Sequence, residues 1–230
     1  VESEVAALFP GARTLRWDWE TTREKDAHEM ILTHFANHQA DVLIGTQMLA
    51  KGLDLPLVTL VGIVLADVGL TFPDPFAGER AFQLLTQVAG RAGRSARGGK
   101  VVLQTFMPEK PVIQAAAGHD YAMFYAREIE ARQQLGYPPF GRLVRLEFRH
   151  TDPVKAETEA RKVAERLTAE IKTEKRAQTD MIGPAPCFFG KVNDIYRWQV
   201  ILRGLNPLSL VRNLRSQSIS RVEVDPVSLL

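Results

Sequence analysis

Along the first half of the chain the apolar positions alternate between two rhythms. Short apolar runs, Thr14–Trp17, Asp41–Ile44, Val58–Ala66 and Lys100–Phe106, have the length of strands. Between them the spacing becomes helical. Ala27, Met30, Ile31, His34 and Phe35 recur at helical intervals across Arg23–His38, with Glu24 and Glu29 pointing elsewhere, and Gly78–Gln87 carries a second helical pattern. Thr21 and Thr22 stand where an N-cap is needed. Apolar strands separated by helices predict a parallel sheet covered on both faces, with Val58–Ala66 fully buried. Trp17 and Trp19 are expected to be packing residues of the first strand.

The second half reads differently. A helix over Tyr121–Leu135 stops at Gly136-Tyr137-Pro138-Pro139. Then come strand Leu143–Phe148, helix Val154–Glu174, strand Asp180–Gly183, strand Arg197–Leu202, helix Leu208–Gln217 and strand Arg221–Val224. The long helix places Ala160, Val163, Ala164, Leu167 and Ile171 on one face and its charges elsewhere. The order βαββαβ predicts a small α+β domain of ferredoxin-like type, an arrangement that specifies no function by itself. The chain therefore divides into a first α/β domain over 1–118, a linker helix and Pro-rich turn over 119–138, and a second domain over 139–230.

Composition narrows the class. A chain of 230 residues, 45% hydrophobic and 24% charged with a net charge of +2, has room for one large or two small cores and is not disordered. No apolar run approaches the roughly 18 residues of a membrane span. A single cysteine, Cys187, excludes an internal disulfide framework and a cysteine-cluster zinc site in this stretch. No basic-then-apolar leader is present, so a cytoplasmic location is expected. Val1-Glu2-Ser3-Glu4-Val5 reads as a helix already under way, as expected of a fragment of something longer. The low net charge conceals an asymmetry: residues 1–106 carry a net −2 and residues 107–230 a net +4. The second half is the better suited to a nucleic acid.

Two stretches carry chemistry. Ile44-Gly45-Thr46-Gln47-Met48-Leu49-Ala50-Lys51-Gly52-Leu53-Asp54 leaves the C-terminal end of a strand, where ligands bind in open α/β sheets. Gly45 permits a tight turn, Thr46 offers a hydroxyl to a phosphate, and Asp54 offers a carboxylate to a ribose hydroxyl or an arginine. The same residues also suit a plain strand-to-helix connection ending on Gly52. In Gln87-Val88-Ala89-Gly90-Arg91-Ala92-Gly93-Arg94, helical spacing gathers Gln87, Arg91 and Arg94 into a sector of about 60°. Phe82, Leu85 and Val88 lie opposite. One amide and two guanidiniums on one face suit phosphate oxygens, the alternative being a solvated arginine face with Gly as C-cap. Gly90 and Gly93 each cost a helix about 1 kcal/mol, which points to close approach by another surface.

Together these stretches resemble motifs V and VI of superfamily 2 helicases. Within them, the extended Gly-Thr-Gln-Met-Leu-Ala-Lys-Gly run is similar to the PriA family of replication-restart (primosomal protein N′) DNA helicases. Leu8-Phe9-Pro10-Gly11, Asp18 with Thr21-Thr22, Gln104-Thr105, Tyr137-Pro138-Pro139-Phe140, Gly183-Pro184-Ala185-Pro186, Tyr196-Arg197-Trp198-Gln199 and Val224-Asp225-Pro226 continue the resemblance along the chain. It implies that residues 1 to about 118 are the second RecA-like lobe, a parallel sheet with flanking helices. Arg91 and Arg94 would act as arginine fingers on ATP held with Mg²⁺ by a first lobe, and Gln87 would position the nucleotide. Thr46, Gln47 and Lys51 would meet DNA, while Gly52 and Asp54 would couple the DNA groove to the nucleotide cleft. The family's zinc-binding cysteines would precede Val1. With no phosphate loop and no Asp-Glu-x-His stretch, the chain alone is expected not to hydrolyse ATP.

For residues 139–230 the resemblance implies binding of branched and single-stranded DNA, of the single-stranded-DNA-binding protein and of other primosome proteins. Tyr196 and Trp198 share one face of a strand, with Arg197 opposite. They form either a base-stacking platform with Lys191 and Arg197 on phosphates, or, for Trp198 above all, part of a core. Gln199 is the candidate contact for the partner's acidic tail, with Ile195 where a cation would suit that role. Arg142, Arg145 and Arg149 read as a solvated strand, the charges of the long helix as an ordinary surface, and Cys187 carries no assigned role. No metal site is expected, and the chain is expected to be a monomer. The alternative function is a non-catalytic module recognising fork DNA or the single-stranded-DNA-binding protein; a different helicase-like translocase would keep motif VI without the longer matches.

Overall fold

A computed structural model describes residues 1–22, 26–47, 58–92, 98–173, 179–212, 214 and 218–230. The chain divides into two units, Val1–Asp67 with Ala81–Asp120, and Val68–Arg80 with Tyr121–Leu230. The short segment Val68–Arg80 thus precedes most of the first unit's helix in sequence and yet packs with the second unit.

The first unit is mixed α/β with parallel strands. Its elements run α1 (Glu2–Leu8), β1 (Thr14–Trp17), α2 (Ala27–Ala36), β2 (Val42–Gly45), β3 (Leu60–Ile63), α3 (Ala77–Ala92), β4 (Lys100–Leu103) and α4 (Pro111–Ala117). Helix α3 enters it from the second unit at Ala81. β1 pairs with β2 from Thr14↔Val42 to Trp17↔Gly45, and β3 pairs with β4 from Leu60↔Lys100 to Ile63↔Leu103, both in parallel. Among the described residues these are two two-stranded sheets rather than one continuous sheet.

Three sequence expectations need correction here. Val58–Ala66 is not fully buried: Leu60 is 61% and Val64 58% exposed. β3 has one partner strand among the described residues, and it stops at Ile63 because Leu65 turns to φ 60° and Ala66–Gly69 closes a 3-10 turn. Thr21 and Thr22 do not cap α2, whose N-cap is Asp26 in the left-handed region. They close a turn on Asp18 instead: the Thr22 hydroxyl donates to the Asp18 carbonyl at 2.6 Å, and the Asp18 carboxylate accepts from the Glu20 and Thr21 amides. Trp17 is buried and tilts against His28 with ring centroids 5.3 Å apart, but Trp19 is 71% exposed.

In the second unit α5 (Tyr121–Leu135) is followed by β5 (Arg142–His150), α6 (Pro153–Thr173), β6 (Thr179–Val192), β7 (Ile195–Gly204), α7 (Leu208–Val211) and β8 (Arg221–Val224). The four strands form one sheet in the order β6-β7-β5-β8, antiparallel throughout. Asp152 starts α6 by accepting the Val154 amide at 2.8 Å, with Pro153 placed where its missing N–H is not needed. The face of α6 read from the sequence is the one that packs. Ala160, Val163, Ala164 and Leu167 meet Val144, Leu146 and Phe148 of β5 and Val200 and Leu202 of β7. Burying each large side chain there contributes about 2–3 kcal/mol.

The opposite face of β5 is not solvated, contrary to its charge pattern. β5 lies between β7 and β8, and Arg145 and Glu147 on that face are as buried as the apolar residues. Leu143 packs there with Ile201, Leu229 and Tyr137. β6 runs well beyond the predicted Asp180–Gly183 despite Pro184 and Pro186, because an edge strand tolerates the missing N–H donors. Its register shifts between Ile182 and Ala185, where Gly183 has φ +97° and a Cβ would stand 2.9 Å from the Gln199 carbonyl oxygen. Only glycine fits that bulge without displacing backbone.

Candidate functional site

α3 runs from Ala77 to Ala92 and exceeds the predicted Gly78–Gln87 by more than a turn. Ala81, Phe82, Leu85 and Ala92 are buried along one side. Gln83, Gln87 and Gly90 are exposed along the other, with Arg91 half-buried beside them. Gln87 and Arg91 are one turn apart and therefore neighbours on the helix surface. A Cβ on Gly90 would meet no atom within 4 Å. Among the described residues no packing contact requires a glycine there, where it costs a helix about 1 kcal/mol. Arg94 lies outside the described residues.

Gly45 ends β2, and Thr46 and Gln47 follow it directly into solvent. Both side chains are thus at the C-terminal end of a parallel strand. Lys51, Gly52 and Asp54 lie outside the described residues. Elsewhere in this unit, the Gln104-Thr105 pair has a positional task. The Thr105 hydroxyl donates to Asp67 Oδ1 at 2.6 Å and the Phe106 amide to Oδ2 at 2.9 Å. These bonds hold the buried Asp67 carboxyl below the usual carboxylate range. The signal was the end of an apolar run followed by Asp; only its partner, 38 residues later, gives it meaning.

In the second unit the sequence-selected residues fall into two groups. Lys191 and Tyr196 come together across the β6–β7 turn, with Nζ 5.2 Å from the centre of the Tyr196 ring. Lys191 also pairs with Asp194 at 2.9 Å, and both partners are open to solvent. Trp198 shares the Tyr196 face but packs against the core between sheet and α6. Arg197 and Gln199 are on the other face of β7. There the Arg197 guanidinium donates through Nε to Glu147, which also accepts from Arg149 Nη2 at 2.9 Å. Burial alone would push the Glu147 carboxyl up; Arg149 and Arg197 together hold it below its ordinary range. The Gln199 side-chain oxygen is buried, with no hydrogen-bond donor among the described residues.

Cys187 is buried on that same face, with Arg145 Nη2 3.4 Å from its Sγ. Among the described residues no three His, Cys, Asp or Glu side chains converge as a metal site, and no helix is long and apolar enough to cross a membrane.

One cluster had no distinct sequence signal. Asp74, in Pro73-Asp74-Pro75 just before α3, is buried and accepts the Phe76 amide, the Ser228 hydroxyl and the Leu229 amide, each at 2.8 Å. The Arg80 guanidinium completes it as an ion pair at 2.8 Å. An aspartate between prolines announces a turn; its distant partners are invisible to local pattern.

Comparison with known proteins covers nearly the whole chain. The family described as Primosomal protein N C-terminal domain matches residues 133–227, and the Helicase conserved C-terminal domain matches residues 19–96. The replication restart protein PriA of Synechocystis sp. (strain ATCC 27184 / PCC 6803 / Kazusa) is 40% identical over 228 residues, 96% of this chain and 27% of that protein. That of Bacillus subtilis (strain 168) is 42% identical over 203 residues, 88% of this chain and 25% of that protein. That of Treponema pallidum (strain Nichols) is 39% identical over 239 residues, covering 100% of this chain and 36% of that protein. The chain thus spans between a quarter and a little over a third of the length of these relatives.

Proposed function

The chain belongs to the PriA family, matching the C-terminal part of those proteins, and from that premise we propose that it supplies the second motor lobe and the DNA- and partner-binding domain of an ATP-dependent 3′→5′ helicase that restarts stalled replication by primosome assembly. The first unit is the RecA-like lobe. The antiparallel sheet with α6 on one face is the ferredoxin-like domain.

The observation that carries this reading is the outer face of α3. Gln87 and Arg91 occupy it while Phe82 and Leu85 anchor the other side. The Arg91 guanidinium, donor-only and permanently charged, suits the oxygens of a polyphosphate and cannot ligate a cation, and the Gln87 amide adds N–H donors beside it. This chain's share of the site is therefore the γ-phosphate, and Mg²⁺ belongs to groups elsewhere. Arg91, with Arg94 three residues further along the sequence, stabilises charge developing on the phosphoryl group, and Gln87 orients it. Gly90 lets the facing lobe approach. Gly52 and Asp54 couple that cleft to the DNA held by Thr46, Gln47 and Lys51. Zinc, where the family carries it, is bound by cysteines that are not among these residues.

In the second unit, Lys191 and Tyr196 form the contact to branched or single-stranded DNA, the ring stacking on a base. Gln199, half-buried with its side-chain oxygen enclosed, offers its amide N–H donors to the acidic tail of the single-stranded-DNA-binding protein. Primosome proteins are further partners, and the working form is a cytoplasmic monomer. With no phosphate loop, the isolated chain turns over no ATP. In the full-length protein, Arg91→Ala and Arg94→Ala are expected to lower DNA-stimulated ATP turnover by about 10³-fold or more with DNA affinity nearly unchanged. Retained turnover in both variants would overturn the assignment.

A further inference from the structure

Phe188 and Phe189 are neighbours on β6, and a regular strand would send them to opposite faces of the sheet. Their rings meet instead, with centroids 4.9 Å apart and planes at 85°. Phe72 closes on Phe188 in the same edge-to-face manner, at 5.4 Å and 76°. All three residues belong to the second unit. The β6–β7 ladder shows how the two rings come together. Pairing is regular at Pro186↔Trp198 and again at Lys191↔Tyr196, but between them β6 takes five residue steps where β7 takes two. An irregularity of that kind re-aims the side chains it carries, and β6, at the edge of the sheet, has room for it.

The cluster is open to solvent. Phe188 is 44% and Phe189 56% exposed, whereas Phe148 on the same sheet is buried. Edge-to-face packing supports the rings without enclosing them, so flat ring surface stays available to a planar ligand. From Gly183 to Asn193 the sequence holds one cation, Lys191, and no carboxylate. Lys191 stands where regular pairing resumes, its Nζ 5.2 Å from the centre of the half-buried Tyr196 ring. Two residues of extended backbone, about 7 Å, separate it from Phe189, so one nucleic-acid strand can reach both. Open ring faces beside a cation are what a single strand uses, its bases stacking on the rings while a phosphate meets the cation.

We propose that Phe188 and Phe189, braced by Phe72, stack unpaired bases and so select single-stranded over duplex DNA. The proposal rests on Lys191 and Tyr196 meeting DNA. In a duplex the bases cover one another and their phosphates alone are within easy reach, so Lys191 serves both forms and the phenylalanines serve one. Stacking carries no counterion release, so loss of a ring lowers affinity without altering its salt dependence, whereas loss of Lys191 alters it. The requirement for a π-face also separates a base from an apolar protein partner. Leucine at 189 would keep most of a hydrophobic protein contact and lose a stacked base.

The test titrates the 230-residue chain into a labelled oligothymidine and a blunt duplex of equal length at two salt concentrations, with a urea midpoint for every variant. The variants are Phe189→Ala, Phe189→Leu, Phe189→Trp and Phe188→Leu, beside Lys191→Gln and Tyr196→Ala. Phe188→Leu keeps an apolar contact with Phe72, and the conservative changes at 189 serve should Phe189→Ala fail to fold. Phe189→Ala, Phe189→Leu and Phe188→Leu are expected to weaken oligothymidine binding by about 5- to 100-fold, with duplex affinity changed less than about twofold and the salt slope unchanged. Phe189→Trp should keep the parent affinity. Parent-like oligothymidine binding in Phe189→Leu and Phe188→Leu, with a reduced salt slope in Lys191→Gln, overturns the stacking role and leaves the Lys191 contact standing. Equal losses on the two forms of DNA overturn it as well. Absence of oligothymidine binding by the parent chain, or parent-like binding in Lys191→Gln and Tyr196→Ala too, overturns the reading beneath it.

Discussion

The Leu229 amide donates to Oδ2 of Asp74 at 2.8 Å, joining residues 155 positions apart. Asp74 is buried with four polar partners, so removing its carboxylate strands the Leu229 amide and the Ser228 hydroxyl together with one face of Arg80. Asp74→Ala is expected to destabilise the second unit by about 3 kcal/mol, in the range for breaking a buried charged cluster. Urea midpoints of the chain at neutral pH measure this.

The same carboxylate gives a pH dependence of known sign. Burial pushes the Asp74 carboxyl up, but Arg80, the Phe76 and Leu229 amides and Ser228 outweigh it and leave the group below its ordinary value. A carboxyl depressed in the folded state stabilises it fully above the unfolded pKa of about 3.9, and that contribution disappears as pH falls through the folded value. Acid titration of stability should therefore be shallower below about pH 4 in Asp74→Asn than in the parent chain. Equal slopes would show that the cluster does not hold its charge.

Glu147 sits at the centre of the sheet with 1% of its surface exposed, between Arg149 and Arg197. Glu147→Gln leaves two guanidiniums facing each other without their counter-charge, and is expected to cost about 3–5 kcal/mol. Arg149→Ala should cost only about 1 kcal/mol, since the Arg149 side chain is 41% exposed and Arg197 still satisfies the carboxylate. Denaturant midpoints of the two variants, compared with each other, check the ranking.

How far the sequence spoke depended on the range of the interaction. The α6 stripe and the helix Tyr121–Leu135 were legible because helical periodicity is local, and α5 has the predicted ends. The succession of strands and helices along the second half was readable for the same reason, one element at a time. β5 misled because its alternation of Arg145 and Glu147 with apolar residues is what a half-solvated strand shows; the Leu229 region and Arg197 bury that second face, and neither is near in sequence. The motif residues divide similarly. Spacing alone placed Gln87 and Arg91 side by side on one helix, whereas Asp74, Arg132 and Asp67 make their contacts with partners dozens of residues away. Even the Val224-Asp225-Pro226 match proved to contain a fold contact, since Asp225 accepts from Arg142 at 2.6 Å and from the Leu143 amide at 3.1 Å.

Cys187 offers a probe of how tightly that second face is closed. Burial raises the pKa of its thiol and the neighbouring Arg145 only partly offsets this, so the group is an enclosed neutral thiol at neutral pH. Since the thiolate is the nucleophile, alkylation in the native chain is expected to be more than about a hundredfold slower than in the denatured one, proceeding only through opening of the sheet. Rapid labelling without denaturant would mean that the β6 side of this face opens readily.

The nucleic-acid contact proposed for the β6–β7 turn can be separated from the ion-pair network beneath it by substitution and by salt. Half-buried Tyr196 with exposed Lys191 5.2 Å from its ring is a pair able to take a base and a phosphate, whereas Arg197 is already engaged by the buried Glu147. Tyr196→Ala should weaken single-stranded DNA binding by about 1–3 kcal/mol. Lys191→Gln should lower the magnitude of the slope of log affinity against log salt by about 0.7, the value for one phosphate contact on a single strand. Arg197→Ala should act on stability instead, because it strips Glu147 of a buried counter-charge. Fluorescence anisotropy with an oligonucleotide at two salt concentrations, together with a urea midpoint for each variant, distinguishes the three. An Arg197→Ala protein of full stability with a reduced salt slope would move the phosphate contact from Lys191 to Arg197.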